Sequence, residues 1–318
     1  MTGPAMDATA LEAHLREAVR GQGVDIDRAR FGVAVSGGPD SMALLHLSAR
    51  AFPGRVEAAT VDHGLRPESA GEAAMVGEWC AARGIPHAIL HPDTPRAGNL
   101  HDWGRAQRYA LLEAWRIERG LDWLFTAHHA DDQLETMLMR LNRGAGLGGL
   151  TGVRPRMAHV LRPLLGVRKS VLQALADAEG LPHVVDPSNA DPRFDRSRMR
   201  AALAKADWLD PQAAARSAAA LGEAEQALNW TVDALADRHV RREAEDGWRL
   251  EETDLPRELL RRLVLRMLAQ AAPDALPPRG DSLDRAIAAA AMGRKASLGD
   301  WLLVGGREWR LIPAPPRR

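Results

Sequence analysis

Short apolar runs punctuate the first half of the chain: FGVAV at 31–35, VEAATV at 56–61, HAIL at 87–90 and DWLFTA at 122–127. Each is followed by a stretch whose apolar residues recur at helical spacing: SMALLHLSARA from Ser41, then 68–83, about 99–119, and DDQLETMLMRLNR from Asp131. Strands alternating with helices predict βαβ units and an α/β fold, a doubly wound parallel sheet covered by helices on both faces. Open sheets of this kind bind ligands beyond the carboxyl ends of their strands. The loops after strands one, two and four are therefore where chemistry is expected.

The pattern changes after residue 143. GAGLGGLTG at 144–152 reads as a flexible connector, HVLRPLL as a short strand, and about 167–179 as a helix ending at Gly180. DPSNADPRFDRSRMR, from Asp186, is polar and irregular. From 211 to 271 Ala, Leu, Glu and Arg fall at helical spacing, broken near Gly247 and Pro256, and 295–312 reads as a short β element. The expected organisation is a catalytic domain over 1–205, then a mainly helical second domain with a short C-terminal β element over 206–318.

Composition narrows the setting. The chain has 318 residues, 46% hydrophobic and 26% charged, which excludes a wholly disordered or collagen-like protein. Cys80 is the one cysteine, so an internal disulfide, a CxxC pair and a cysteine-rich zinc site are excluded. A reducing, cytoplasmic location is expected. The first twenty residues mix Asp7, Glu12 and Glu17 with Arg16 and Arg20, unlike a secretory signal, and no run is long enough to span a membrane. Forty-two basic and 42 acidic residues cancel, which on its face argues against a nucleic-acid partner. The distribution argues otherwise. Between Glu135 and Asp177 no acid occurs, while Arg140, Arg143, Arg154, Arg156, Arg162, Arg168 and Lys169 do.

Three loops carry candidate chemistry. The first is Ser36-Gly37-Gly38-Pro39-Asp40-Ser41. Two glycines let backbone approach an anion, the following helix N-terminus offers N–H groups to phosphate, and the serines add hydroxyls. Asp40 is a candidate magnesium ligand. No Gly-Lys pair occurs in the chain, so this is not a Walker loop. The second, Asp62-His63-Gly64-Leu65-Arg66, is by itself an ordinary turn. The third is His128-His129-Ala130-Asp131-Asp132-Gln133-Leu134-Glu135-Thr136. His128, Asp132 and Glu135, at i, i+4 and i+7, share one face if the helix includes all three. A zinc site and a solvated acidic helix start both fit that stripe.

Strand, SGGxDS and helix in that order resemble the signature of PP-loop (N-type ATP pyrophosphatase) proteins, which have a Rossmann-like fold. VDHGLR and HHxDDxxET resemble the lysidine synthase branch of that superfamily. Arg105, Arg108 and Tyr109 resemble its A-R-x-x-R-Y helix, with Gly104 at the usual alanine. LNRGAG at 141–146 and Asp186-Pro187-Ser188-Asn189, with Arg196, Arg198 and Arg200, resemble further motifs. The resemblance is dense from about 31 to 200.

It implies an ATP- and Mg2+-dependent ligase acting on isoleucine tRNA with a CAU anticodon. C2 of the wobble cytidine is adenylated, free L-lysine attacks it, and lysidine, AMP and pyrophosphate result. It also implies roles: Ser36, Gly37, Gly38, Pro39, Asp40, Ser41 and His63 toward nucleotide, with Asp40 on the metal. Arg108 falls to phosphate or adenylate, Asp132 and Glu135 to the lysine ammonium, and His128, with His129 as substitute, to developing charge. A homodimer is the protein assembly expected.

Gly144, Gly146 and Gly149 also satisfy G-x-G-x-x-G, but they follow a helix rather than a strand, so a dinucleotide site is dismissed. The alternatives retained are a thiolating PP-loop enzyme, for which one cysteine is too few, and a non-catalytic RNA-binding relative, which would not need Asp132 and Glu135.

Overall fold

The computed structural model describes residues 7–64, 68–92, 100–184, 195–243 and 247–315, with 100–102 and 195–196 described for backbone alone. Its compact units are Met1–Gly222 and Glu223–Arg318.

In the first unit the strands are Phe31–Ala34 (β1), Val56–Val61 (β2), His87–Leu90 (β3), Trp123–Phe125 (β4), Arg156–Met157 (β5) and Val160–Leu161 (β6), in sheet order β3-β2-β1-β4-β6-β5. All pairings are parallel except β5 with β6. Phe31 lies in register with both Val56 and Trp123. β1 therefore stands between β2 and β4, where the winding of the sheet reverses, and the loops leaving β1 and β4 emerge side by side. That is the crevice in which such sheets bind ligands.

The helices of this unit are Ala8–Arg20 (α1), Pro39–Ala51 (α2), Ser69–Ala81 (α3), Leu100–Glu118 (α4), Ala130–Leu141 (α5), Leu147–Leu150 (α6), Lys169–Ala178 (α7) and Asp195–Leu203 (α8). Strand alternation sorts the sheet's two faces. Phe31, Val33 and Phe125 face a core shared with α1, α2, α3 and α7, whereas Ala59 and Leu124 face Leu112 and Trp115 of α4. Phe31 anchors the first core, with ring centroids 4.4 Å from Phe52 and 4.7 Å from Phe125. α1, to which the sequence pattern assigned no element, starts at Asp7, whose carboxylate accepts the Ala10 N–H at 2.8 Å. It buries Leu11, Leu15 and Val19, an i, i+4, i+8 stripe worth about 1.5–3 kcal/mol per side chain.

Two segments differ from expectation. The 144–152 connector contains α6 and is pinned rather than loose. Arg140 Nη1 donates to the Gly149 and Gly152 carbonyls at 2.7 and 2.9 Å, and the Gln133 amide brackets the Val153 backbone at 2.7 and 2.6 Å. The stretch expected to be irregular forms α8 from Asp195, tied to α5 by Arg200 Nε on Glu135 Oε1 at 2.6 Å. Asp186 to Asn189 and Arg66 lie outside the described residues, as does the Arg196 side chain.

Pro211–His239 (α9) runs across the division between the units. The second unit continues with Val240–Arg242 (β7), Trp248–Leu250 (β8), Arg257–Ala271 (α10), Gly280–Ala291 (α11), Lys295–Leu298 (β9), Trp301–Val304 (β10) and Trp309–Pro313 (β11). Its antiparallel sheet runs β7-β8-β11-β10-β9 and buries Leu250, Leu303, Trp309 and Leu311 against Leu263, Met267, Leu283 and Ile287. The β element is thus larger than the tail alone, because the hairpin within the supposedly helical 211–271 joins it through Leu250 opposite Trp309. No helix among the described residues is long and apolar enough to cross a membrane.

Gly32 leaves no room for a side chain. A Cβ there would meet Trp115 Cζ3 at 2.6 Å, with Leu124 and Leu121 methyls at 2.9 and 3.0 Å. Gly32→Val should lower stability by about 1–3 kcal/mol through overpacking, read as a reduced urea midpoint with an unchanged slope. A midpoint equal to wild type would contradict this packing of β1 on α4.

Candidate active site

The loop after β1 is built to leave backbone donors available. Gly37 takes φ +78, a conformation that L side chains rarely adopt, and its carbonyl accepts the Val184 N–H at 2.9 Å. Gly38 caps α2 without a side chain and Pro39 follows as the first helical residue, so among the described residues no side chain caps the first-turn N–H groups. A helix start of this kind attracts anions. Ser41 is buried and turned inward, donating to the Gly38 carbonyl at 2.9 Å and accepting the Ser36 N–H at 3.2 Å. It therefore braces the loop rather than extending a hydroxyl into the crevice.

Asp40, in the first turn of α2, reaches the loop leaving β4. Its Oδ2 lies 3.5 Å from His129 Nε2, which is also 3.5 Å from Asp132 Oδ2, while His129 Nδ1 is 3.6 Å from Asp131 Oδ2. His129 is 4% exposed. Burial opposes its charge, but hydrogen bonds to Asp131 and Asp40, with the added charges of Asp132 and Asp40, prevail and raise its pKa to about 10. The ring is then an imidazolium at neutral pH. Its Nδ1 carries a proton, so the 3.4 Å contact from the Asp132 N–H belongs only to the neutral ring. The helix start is held instead by Asp132 Oδ2 accepting the His129 N–H at 3.1 Å, and by Asp131 Oδ2 accepting the Lys169 N–H at the start of α7 at 2.7 Å.

Asp132 and Glu135 lie on one buried face of α5, as the spacing predicts. Arg200 of α8 meets both, Nε on Glu135 Oε1 at 2.6 Å and Nη2 on Asp132 Oδ1 at 3.4 Å. His128 does not join them. α5 begins at Ala130 with His129 as its cap, so His128 precedes the helix, and its Nδ1 lies 2.9 Å from Thr126 Oγ1. The shared-face reading of His128 is corrected on that ground, because the helix opens at Ala130, two residues after His128. Among the described residues no group of three or more His, Cys, Asp or Glu is arranged to hold a metal ion.

At the end of β2, Asp62 accepts the Ser69 hydroxyl at 2.7 Å and the Gly64 N–H at 2.8 Å. Those bonds, the Ser69 one foremost, hold its pKa below the ordinary carboxylate range despite burial. His63 is half-buried with neither ring nitrogen hydrogen-bonded among the described residues, 5.9 Å from the Trp103 ring. Burial lowers its pKa and the charge of Arg108, exposed on α4, lowers it further, so the ring is neutral and open to a partner.

The basic tract proves less uniform than its sequence suggests. Arg140 holds loop carbonyls, Arg162 is 4% exposed and donates to the Arg154 carbonyl at 2.7 Å, and Arg156 lies over the Trp123 ring at 4.5 Å. Arg168 binds Asp210 at 2.5 Å. Arg143, Arg154 and Lys169 are the exposed members apart from Arg156.

A glycine-lined anion cradle at the reversal point of a parallel sheet, faced by carboxylates from the next crossover, defines an ATP-using PP-loop domain. The family model for a PP-loop domain matches residues 9–207. The chain is 42% identical over 299 residues to the tRNA(Ile)-lysidine synthase of Zymomonas mobilis, covering 91% of this chain and 90% of that protein. It is 43% identical over 301 residues to that of Novosphingobium aromaticivorans, again covering 91% and 90%. It belongs to the tRNA(Ile)-lysidine synthase family. Among solved structures, the U34-tRNA thiolase NcsA of Methanococcus maripaludis, with its [4Fe-4S] cluster, aligns with a TM-score of 0.54 at 19% identity, covering 68% of this chain and 80% of that one. That likeness is one of fold.

The raised His129 pKa has a measurable consequence. It lies above the unfolded value of about 6.5, so the ion pairs contribute stability that is complete below about pH 6.5. That contribution declines as pH rises and is lost through about 10. NMR of histidine-labelled protein should find His129 still protonated at pH 8, with Asp40→Asn lowering its midpoint. A ring that titrates near the ordinary histidine value in wild type would contradict the assignment.

Proposed function

We propose that the chain joins free L-lysine to C2 of the wobble cytidine of isoleucine tRNA with a CAU anticodon, using ATP in two steps. The observation that carries this reading is the meeting of Asp40, Asp132 and Glu135 beside an open phosphate cradle, a site able to hold a polyphosphate and a cation together. In the first step the C2 oxygen attacks the α-phosphorus of ATP, the α–β bond breaks, and pyrophosphate leaves. First-turn N–H groups of α2 suit the departing phosphates, and the charge of Arg108 suits the adenylate. His63, neutral and with unpartnered ring nitrogens, is assigned to the nucleotide.

Magnesium fits this site. Asp40 Oδ1 is buried with no hydrogen-bond partner among the described residues, an acceptor suited to a hard cation, and one carboxylate plus substrate phosphates is an ordinary magnesium environment. When bound, the ion would neutralise phosphate charge.

In the second step the lysine amine attacks C2 and AMP leaves. Free lysine has a pKa of about 10.4 and arrives as a cation. Asp132 and Glu135 already accept a guanidinium from Arg200, which supports their use for an ammonium. Coulomb attraction there is about 4 kcal/mol at contact distance in a partly dry crevice. Either carboxylate can then take the proton that the attacking amine must lose. His129, charged, buried and touching Asp40, is better situated than His128 to steady charge in the crevice.

The same reading assigns catalysis to 1–205 and tRNA recognition to 206–318. It includes a cytoplasmic location and a homodimer, the latter checked by sedimentation velocity.

The decisive assay incubates purified protein with ATP, labelled lysine and CAU-anticodon isoleucine tRNA. Acid-stable label on RNA is expected, and Asp40→Ala should reduce both pyrophosphate release and labelling by about a hundredfold or more. Pyrophosphate release to some other acceptor without lysine incorporation would overturn the proposal.

A further inference from the structure

The edge of the first sheet away from the nucleotide loop has its own concavity. Where β1 and β2 begin, between the carboxyl ends of α2 and α3, a cavity of about 470 Å³ opens. Arg30, Arg50, Arg55 and Arg83 line it with one carboxylate, Glu57. Glu57 is already engaged, accepting from Arg30 and from Arg119 at 2.8 Å each. Arg50 pairs with Glu12 at 3.3 Å. Arg55 and Arg83 have no carboxylate partner among the described residues. Arg55 donates to the Ile26 and Ala29 carbonyls, and Arg83 to the Trp79 carbonyl at 3.4 Å.

Two helices end here, and cations are favoured at helix carboxyl ends. That accounts for Arg50 and Arg83 but not for the wall between them. Trp79 is 6% exposed and its indole N–H is buried with no acceptor among the described residues. His46 Nε2 is likewise buried without a hydrogen bond, its nearest carboxylate being Glu179 at 3.7 Å. A ligand rich in acceptor oxygens would meet the guanidinium groups that line the cavity. Arg83 lies over the Trp79 ring at 4.1 Å, and so little of the ring is exposed that it offers no face to a nucleobase. The recognition chemistry is therefore that of phosphate, read bidentately by planar guanidinium groups. The volume exceeds the needs of one phosphate and falls in the ordinary range for small-ligand sites.

We propose that this cavity is a second anion site, separate from the catalytic loop, for a small ligand bearing two or three linked phosphates. No residue assigned to catalysis lines it, so its occupancy can be changed without touching the chemistry.

Titration calorimetry with inorganic tripolyphosphate tests this on the full chain. Wild type should bind two equivalents, one displaced by ATP at concentrations that leave the other filled. Arg50→Ala and Arg83→Ala should each weaken the other equivalent about tenfold, and the double variant should bind one. In each variant ATP-displaceable binding, the internal check on folding, should stay at wild-type affinity. One equivalent in wild type and double variant alike would overturn the proposal. A loss of tRNA affinity in the Arg variants with no second tripolyphosphate equivalent would also overturn it, assigning the cluster to RNA backbone instead.

Discussion

Negative charge gathered in a half-dry crevice is the constraint around which the first unit is arranged. Asp40 arrives from α2 and Asp131, Asp132 and Glu135 from α5, because β1 and β4 are neighbours and their crossovers start side by side. Carboxylates this close repel unless cations stand among them. His129 and Arg200 meet that need, one raised to a pKa of about 10 and the other bridging α8 to α5. Helix starts already favour acids, so the dipoles of α2 and α5 help to bear the load. A site balanced in this way is suited to exchange one cation for another.

The surrounding architecture keeps that balance rigid. Asp131 ties α5 to α7 through the Lys169 N–H, Ala130 donates to the Val167 carbonyl at 2.8 Å, and Gln133 and Arg140 fasten the loop that follows. Several basic residues that look RNA-facing in the sequence are committed to this bracing. Arg140 and Arg162 hold carbonyls that no secondary structure satisfies, and unpaired buried carbonyls are costly. Local charge in a sequence is thus a poor guide to surface charge when the residue is Arg, whose five donors make it an efficient loop staple.

Much of the first unit is legible because its signals are local. VEAATV and HAIL match β2 and β3, and Ser36-Gly37-Gly38 announces a turn whose φ at Gly37 only glycine adopts freely. Asp132 and Glu135 are found by helical spacing. His129 is harder, because a capping residue and the residue before it look alike in sequence. The register of α5 decides which ring enters the crevice. Arg200 meets Glu135 across 65 positions, a contact that no local pattern encodes. The β7–β8 hairpin escapes for the same reason. Three-residue strands are too short to show alternation, and their partner β11 lies near the other end of the unit.

The central claim is that one carboxylate cluster serves two cations, with Glu135 reserved for the amine rather than the nucleotide. Glu135→Gln tests it in a single-turnover reaction that follows pyrophosphate release and lysine attachment separately. Release should stay within about threefold of wild type, while attachment falls by about a hundredfold and the lysine concentration for half-maximal rate rises. Equal loss of both steps would contradict the account, because Glu135 would then act on the nucleotide or on the site as a whole.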